Sequence, residues 1–152
     1  MATIYSCFPG IGKTFCHGIY PKVCSDSDSS KFSWLPSGER NPDFPNNYIR
    51  RIKRLSLVYP YVFVSSHKEV RDALVREGLK FTVVYPDKKD KQLFLSRYEQ
   101  RESSAQFIEL LEKNFDRWID ELDTAPRGEN PLYVKDSHFS DKLLNLLAAK
   151  EK

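Results

Sequence analysis

The chain has 152 residues, the length of one ordinary domain with room for one core. It is 40% hydrophobic and 30% charged, a globular balance, and it has no apolar run of about 18 residues that would suggest a membrane span. The net charge of +3 suits binding of a phosphorylated small molecule and does not by itself imply nucleic acid.

ATIYSCF (2–8) reads as a buried strand, 13–19 as a short helix stopped by Pro21, and 22–25 as a brief second strand. Residues 29–46 carry Ser, Pro, Gly and Asn without strong periodicity and read as an irregular excursion. A basic helix over 47–57 follows, with Ile49, Ile52 and Leu55 as its buried side. YPYVFVSS (59–66) predicts a third strand. A helix over 67–77 ends at Gly78. LKFTVVYP (79–86) predicts a fourth strand and 90–101 a helix. Over 104–122, Phe107, Leu110, Leu111, Phe115, Trp118, Ile119 and Leu122 recur at helical spacing. PLYVK (131–135) is the last strand, and Ser140 caps a final helix.

Strands alternating with helices predict one α/β domain, a five-stranded parallel sheet flanked by helices in three layers. Ligands of such sheets bind beyond the carboxyl ends of the strands. Three polar clusters fall at such ends: PGIGKT, SDSDSS and SSH. The cysteines Cys7, Cys16 and Cys24 are odd in number and lack metal-ligand spacing, which argues against a disulfide framework or a zinc site. Nor does ATIYSCF have the form of a signal peptide. A reducing, cytoplasmic protein is the expectation.

The segment Cys7-Phe8-Pro9-Gly10-Ile11-Gly12-Lys13-Thr14 fits the phosphate-loop pattern G-x-x-x-x-G-K-[ST] at all but its first position, where Cys7 replaces glycine. In that pattern backbone N–H groups cradle phosphate oxygens, the lysine reaches the β- and γ-phosphates, and the hydroxyl ligates Mg²⁺. Pro9, Gly10, Ile11, Gly12, Lys13 and Thr14 are therefore the candidate ATP-binding residues. The plain alternative is a tight strand-to-helix turn with an exposed lysine.

Asp26-Ser27-Asp28 follows the second strand. One of its carboxylates could hold Mg²⁺ through water while the other orients or deprotonates an acceptor hydroxyl; the alternative is a solvated acidic turn. In the excursion, Phe32, Trp34 and Tyr48 could stack on a base. Arg50 and Arg54 share a helix face and could grip a monophosphate, or could belong to a solvated basic helix. The third strand ends in Ser65, Ser66 and His67 with no carboxylate, unlike hydrolytic phosphate-loop proteins. Ser65 or Ser66 could bond the acceptor or a metal-bound water. Arg97 and Arg101 lie four apart on one helix face; they could equally pair with Glu99 and Glu102.

The spelling P-G-I-G-K-T resembles small P-loop kinases, the nucleoside monophosphate kinase group and relatives such as shikimate kinase. The order FPGIGKT, DSDSS, basic excursion, VSSH and SRYEQR is similar to small nucleotide kinases encoded by bacterial viruses. The resemblance implies a P-loop NTPase fold with an acceptor-binding excursion about 29–57 and a lid-like segment about 87–101. It implies Asp26 near the metal, Asp28 near the acceptor, and Arg97 and Arg101 neutralising the transferring phosphoryl group. The expectation is a kinase using ATP and Mg²⁺, with Lys13, Asp28, Arg97 and Arg101 catalytic and Asp28, Trp34, Arg50, Arg54 and Ser66 binding the acceptor. That acceptor is a small molecule, a nucleoside or deoxynucleoside monophosphate by preference, with neither nucleic acid nor membrane as partner. A kinase of a non-nucleotide metabolite and a nucleotide-binding regulatory protein are the alternatives.

Overall fold

The computed structural model describes residues 2–11, 13–26, 30–101 and 103–150. Strand β1 (Thr3–Cys7) leads through a turn to the short helix α1 (Lys13–Ile19), and β2 (Cys24–Asp26) leads to a single helical turn, α2 (Ser30–Ser33). Helix α3 (Asn46–Ser56) precedes β3 (Tyr61–Ser65), and α4 (Lys68–Arg76) precedes β4 (Thr82–Tyr85). A 3₁₀ turn (Lys88–Asp90) runs into α5 (Lys91–Gln100), followed by the long α6 (Ala105–Thr124), β5 (Leu132–Lys135) and α7 (Phe139–Lys150).

The five strands form one all-parallel sheet in the order β2-β3-β1-β4-β5. β1 is therefore central, with Cys7 level with Ser65 on one side and Val84 on the other. Right-handed crossovers send the leftward connection from β1 over one face and the rightward connections over the other. Packing agrees. α1 lies against α7, and Tyr5 meets Phe139 of α7 at 4.8 Å. On the opposite face, Phe8 packs on Phe94 of α5 and Phe115 of α6. Val62, Phe63, Val64 and Ser65 of β3 are all buried, as a strand covered on both faces requires.

The predicted helix end at Gly78 is met in detail. Gly78 has φ +70°, and its N–H donates to Val75 O while the Leu79 N–H donates to Leu74 O. These are the paired bonds of a Schellman motif, which satisfy carbonyls the helix leaves open. Helix α6 starts at Ser104, whose side chain accepts from the Phe107 N–H at 3.2 Å. Leu111, Phe115, Ile119 and Leu122 form its buried stripe.

Four readings need correction. The excursion is partly regular: α2 is followed by a small hairpin in which Trp34 bridges Arg40 in antiparallel fashion. Ser140 does not cap α7, because the helix already begins at Phe139 and Ser140 is buried within it. Leu110 is 49% exposed, so it belongs to the rim of α6 and not to the core. Tyr48 is wholly buried against Phe32 and Phe44. Its hydroxyl accepts the Ser65 N–H at 3.2 Å, so it cannot stack on a base. No helix among the described residues is long and apolar enough to cross a membrane.

Candidate functional site

The chain leaves β1 toward one face, and leaves its neighbours β3 and β4 toward the other. In parallel sheets this divergence opens a crevice at the carboxyl edge. Here a cleft of about 1570 Å³ lies there. The β1 loop and the end of β3 contribute to it, together with the Trp34 hairpin, α5 and α6.

The loop after β1 is tightly held. The Phe8 N–H donates to Val84 O at 2.9 Å, extending the β1–β4 ladder, and the Ile11 N–H turns back to Phe8 O at 3.2 Å. Ile11 is 1% exposed. Gly10 has φ +89°, a left-handed conformation that favours glycine. Space imposes the same choice, because a Cβ at Gly10 would meet Phe94 Cδ2 at 2.8 Å and Tyr98 Cε2 at 3.1 Å. Gly12 lies outside the described residues, as do the side chains of Lys13 and Thr14, whose backbone opens α1.

Helix α5 grips this loop from above. Arg97 donates from Nη1 to Gly10 O at 2.6 Å and from Nη2 to Ser137 O at 3.3 Å, with its guanidinium 4.6 Å from the centre of the Phe94 ring. Ser137 Oγ in turn accepts the Asp87 N–H at 3.0 Å. The loops after β1, β4 and β5 are thus tied together through Arg97 and Ser137. Arg101, one turn further along, is exposed, lies over Tyr98 at 5.1 Å and faces the cleft. Lys88, in the segment expected to act as a lid, pairs with Asp120 of α6.

At the end of β3, Ser65 is 6% exposed and its hydroxyl oxygen is buried without a partner among the described residues. Ser66 borders the cleft, and its carbonyl accepts from Arg71 Nε at 2.8 Å. Arg71 is 6% exposed, and its Nη2 reaches Glu121 of α6 at 2.7 Å. This buried cation fastens the strand end to α4 and α6. His67 stands exposed at the start of α4.

On the excursion side, Trp34 is 53% exposed at the cleft. The Arg40 guanidinium lies 5.4 Å from the Trp34 ring and 4.9 Å from the Phe44 ring, and donates to Glu69 of α4 at 2.7 Å. A pinned cation beneath an open indole makes a platform on which a planar group can stack.

The cleft thus gathers Pro9, Gly10, Trp34, Ser66, Arg97 and Arg101 from the expected set. Arg50 and Arg54 are not brought there. Both are exposed on α3, outside the cleft lining, and Arg50 pairs with Asp43. Asp26 ends β2, two strand spacings or roughly 10 Å from β1. Its side chain lies outside the described residues, as does all of Asp28. Two contributors were not singled out in the sequence, and a third was named only as an alternative to its neighbour. Arg40 looked like one of many excursion cations. Ser65 was not separated from Ser66. Arg71 sits among Val70, Ala73 and Leu74, and a cation on a buried stripe was the available signal.

Several groups titrate away from their ordinary values. Burial, then the Asp123 hydrogen bond, pushes the Tyr85 hydroxyl to about 12. Burial opposes ionisation of Asp136, but Lys142 and the His138 N–H outweigh it and hold the carboxyl below its ordinary range. Burial pushes Cys16 to about 12 and Cys24 to about 11. These thiols, like that of Cys7, are buried and form no disulfide. Among the described residues no three His, Cys, Asp or Glu side chains converge as a metal cage. No protein-family model matches this chain, and no curated protein matches it.

Proposed function

We propose that the chain is a P-loop kinase that transfers the γ-phosphate of ATP to a small acceptor, with a nucleoside monophosphate favoured. One observation carries this reading. The segment CFPGIGKT joins the end of the central strand to the following helix at the point where the chain divides between the two faces of the sheet. A phosphate loop requires that context, and a cleft with two arginines opens beside it.

In this reading the N–H groups of the turn and Lys13 hold the phosphates of ATP. Arg101 reaches from α5 toward charge developing on the transferring group, while Arg97 keeps the loop in shape. The open face of Trp34 receives the acceptor's planar portion. Asp28, by the resemblance, orients the acceptor hydroxyl. Catalysis is then mainly positioning and charge neutralisation.

Magnesium would neutralise charge on the bound phosphates. Thr14 and Asp26 would hold it, and the orphaned Ser65 hydroxyl at the neighbouring strand end fits a hydrated ion there.

The test is a screen of ATP consumption against the nucleoside monophosphates and a few hydroxy acids, with Lys13→Ala beside the wild type. Acceptor-dependent consumption by a nucleotide, lost in Lys13→Ala, is expected. Consumption driven by a hydroxy acid would make the acceptor a metabolite. ATP binding with no acceptor dependence would favour a regulatory protein, and full activity in Lys13→Ala would remove the phosphate-loop assignment.

A further inference from the structure

Ser65 and Ser66 are adjacent in sequence but serve different sides of the sheet. Side chains alternate along a strand. Tyr61 and Phe63 both stack on Tyr5, whose ring also meets Phe139 of α7. Ser65 continues that set, so it faces the side of the sheet that α1 and α7 cover. It is level with Cys7, the residue from which the glycine turn departs. Ser66 is turned the other way, with its carbonyl held by Arg71.

The backbone of Ser65 is fully engaged. Its N–H donates to Tyr48 Oη at 3.2 Å and its carbonyl accepts from Ser6 Oγ at 2.9 Å. The side-chain hydroxyl alone is left without a partner among the described residues, although it is buried and its residue borders the cleft. A buried, unpaired hydroxyl destabilises the free protein relative to a methyl group of the same shape. Such an arrangement has a use if something arriving in the cleft completes the hydrogen bond.

We propose that the Ser65 hydroxyl is a ligand-facing group of the glycine-loop site, and that it accepts a hydrogen bond from a magnesium-bound water when magnesium–ATP occupies the loop. The inference rests on the phosphotransfer reading. The hydroxyl oxygen is closed off from solvent in the free protein, so the bond forms as the loop settles around the bound magnesium–ATP. The chain therefore uses a neutral acceptor where a carboxylate would add a negative charge. The ion, which Thr14 and Asp26 would also hold, meets this strand end through its water shell.

The test measures binding of ATP, with and without magnesium, by calorimetry, together with the Tm of the free protein, for wild type, Ser65→Ala and Ser65→Asp. Ser65→Ala is expected to leave magnesium-free ATP affinity unchanged and to weaken magnesium–ATP about 2- to 10-fold, the worth of one hydrogen bond. Its free-protein Tm should equal or exceed that of the wild type. Ser65→Asp should steepen the magnesium dependence. Should Ser65→Asp fail to fold, Ser65→Ala still decides. Equal magnesium–ATP affinity in wild type and Ser65→Ala would overturn the inference alone. So would an equal loss with and without magnesium, which would put the hydroxyl on a phosphate. A wild type that binds no ATP would overturn this inference and the phosphotransfer reading together.

Discussion

Arg97 Nη1 donates to the carbonyl oxygen of Gly10 at 2.6 Å, joining residues 87 apart in sequence. The same guanidinium reaches Ser137 O, so one side chain closes the gap between the loops after β1 and β5. Its partner on the helix face, Arg101, makes no comparable clamp among the described residues, which leave out Glu102, and stays exposed at the cleft. Equal spacing has produced unequal roles.

Arg97→Ala should therefore destabilise the protein by about 1.5–3 kcal/mol, the range for a hydrogen-bonded charged group. Arg101→Ala should stay within about 0.5 kcal/mol, as exposed positions do. Urea denaturation measures both. In transfer assays Arg101→Ala should lower kcat far more than ATP affinity, whereas Arg97→Ala should impair both. Identical profiles for the two variants would contradict the division of labour.

Gly10→Ala should cost about 1–3 kcal/mol, since it adds a left-handed conformational penalty to overpacking. The new methyl would press on Phe94 and Tyr98, whose rings belong to α5. The Tm should fall, and nucleotide binding should weaken with it because the turn cannot keep its shape. A variant with unchanged Tm would show that α5 can withdraw from the loop at little cost.

Stability should decline above about pH 9. Cys16, Cys24 and Tyr85 are pushed up to about 12, 11 and 12 from ordinary values of 9.0, 9.0 and 10.0. Between those limits the unfolded chain releases protons that the native chain keeps, so the pH slope of stability is negative. The contribution is complete below pH 9 and is lost as the pH climbs through the native values. Urea midpoints at pH 8 and 10.5 should differ accordingly, and Tyr85→Phe should remove part of the slope. A flat profile would mean that these groups are less secluded than the structure has them.

Much of the architecture was legible because it is written in local periodicity. The runs YVFVS and TVVY could only be buried strands, and the stripe from Leu111 to Leu122 could only be one face of a helix. Strands alternating with helices then required parallel pairing. The glycine turn could be read because its backbone chemistry depends on near neighbours. What failed depended on distant ones. The spacing of Arg50 and Arg54 is right for gripping a phosphate, but the roll of α3 is set by Tyr48, Ile49, Ile52 and Leu55 entering the core, and that turns both cations outward. Arg40 acquires its place from Trp34, Phe44 and Glu69, which lie on three different segments. Ser65 and Ser66 could be separated only once the stacking on Tyr5 had fixed which face is which.

The central place of β1 also bears on when the site can come into being during synthesis. Its partners are β3, which meets Ser6 through a contact 59 residues away, and β4 beyond that. The clamp on Gly10 arrives later still, 87 residues downstream. At roughly 5–20 residues per second, a ribosome needs several seconds to make that stretch. Throughout that interval the glycine turn has its sequence but neither the flanking strands nor the arginine that shape it. The shape of the turn is therefore a property of the finished sheet, and not of the nascent chain.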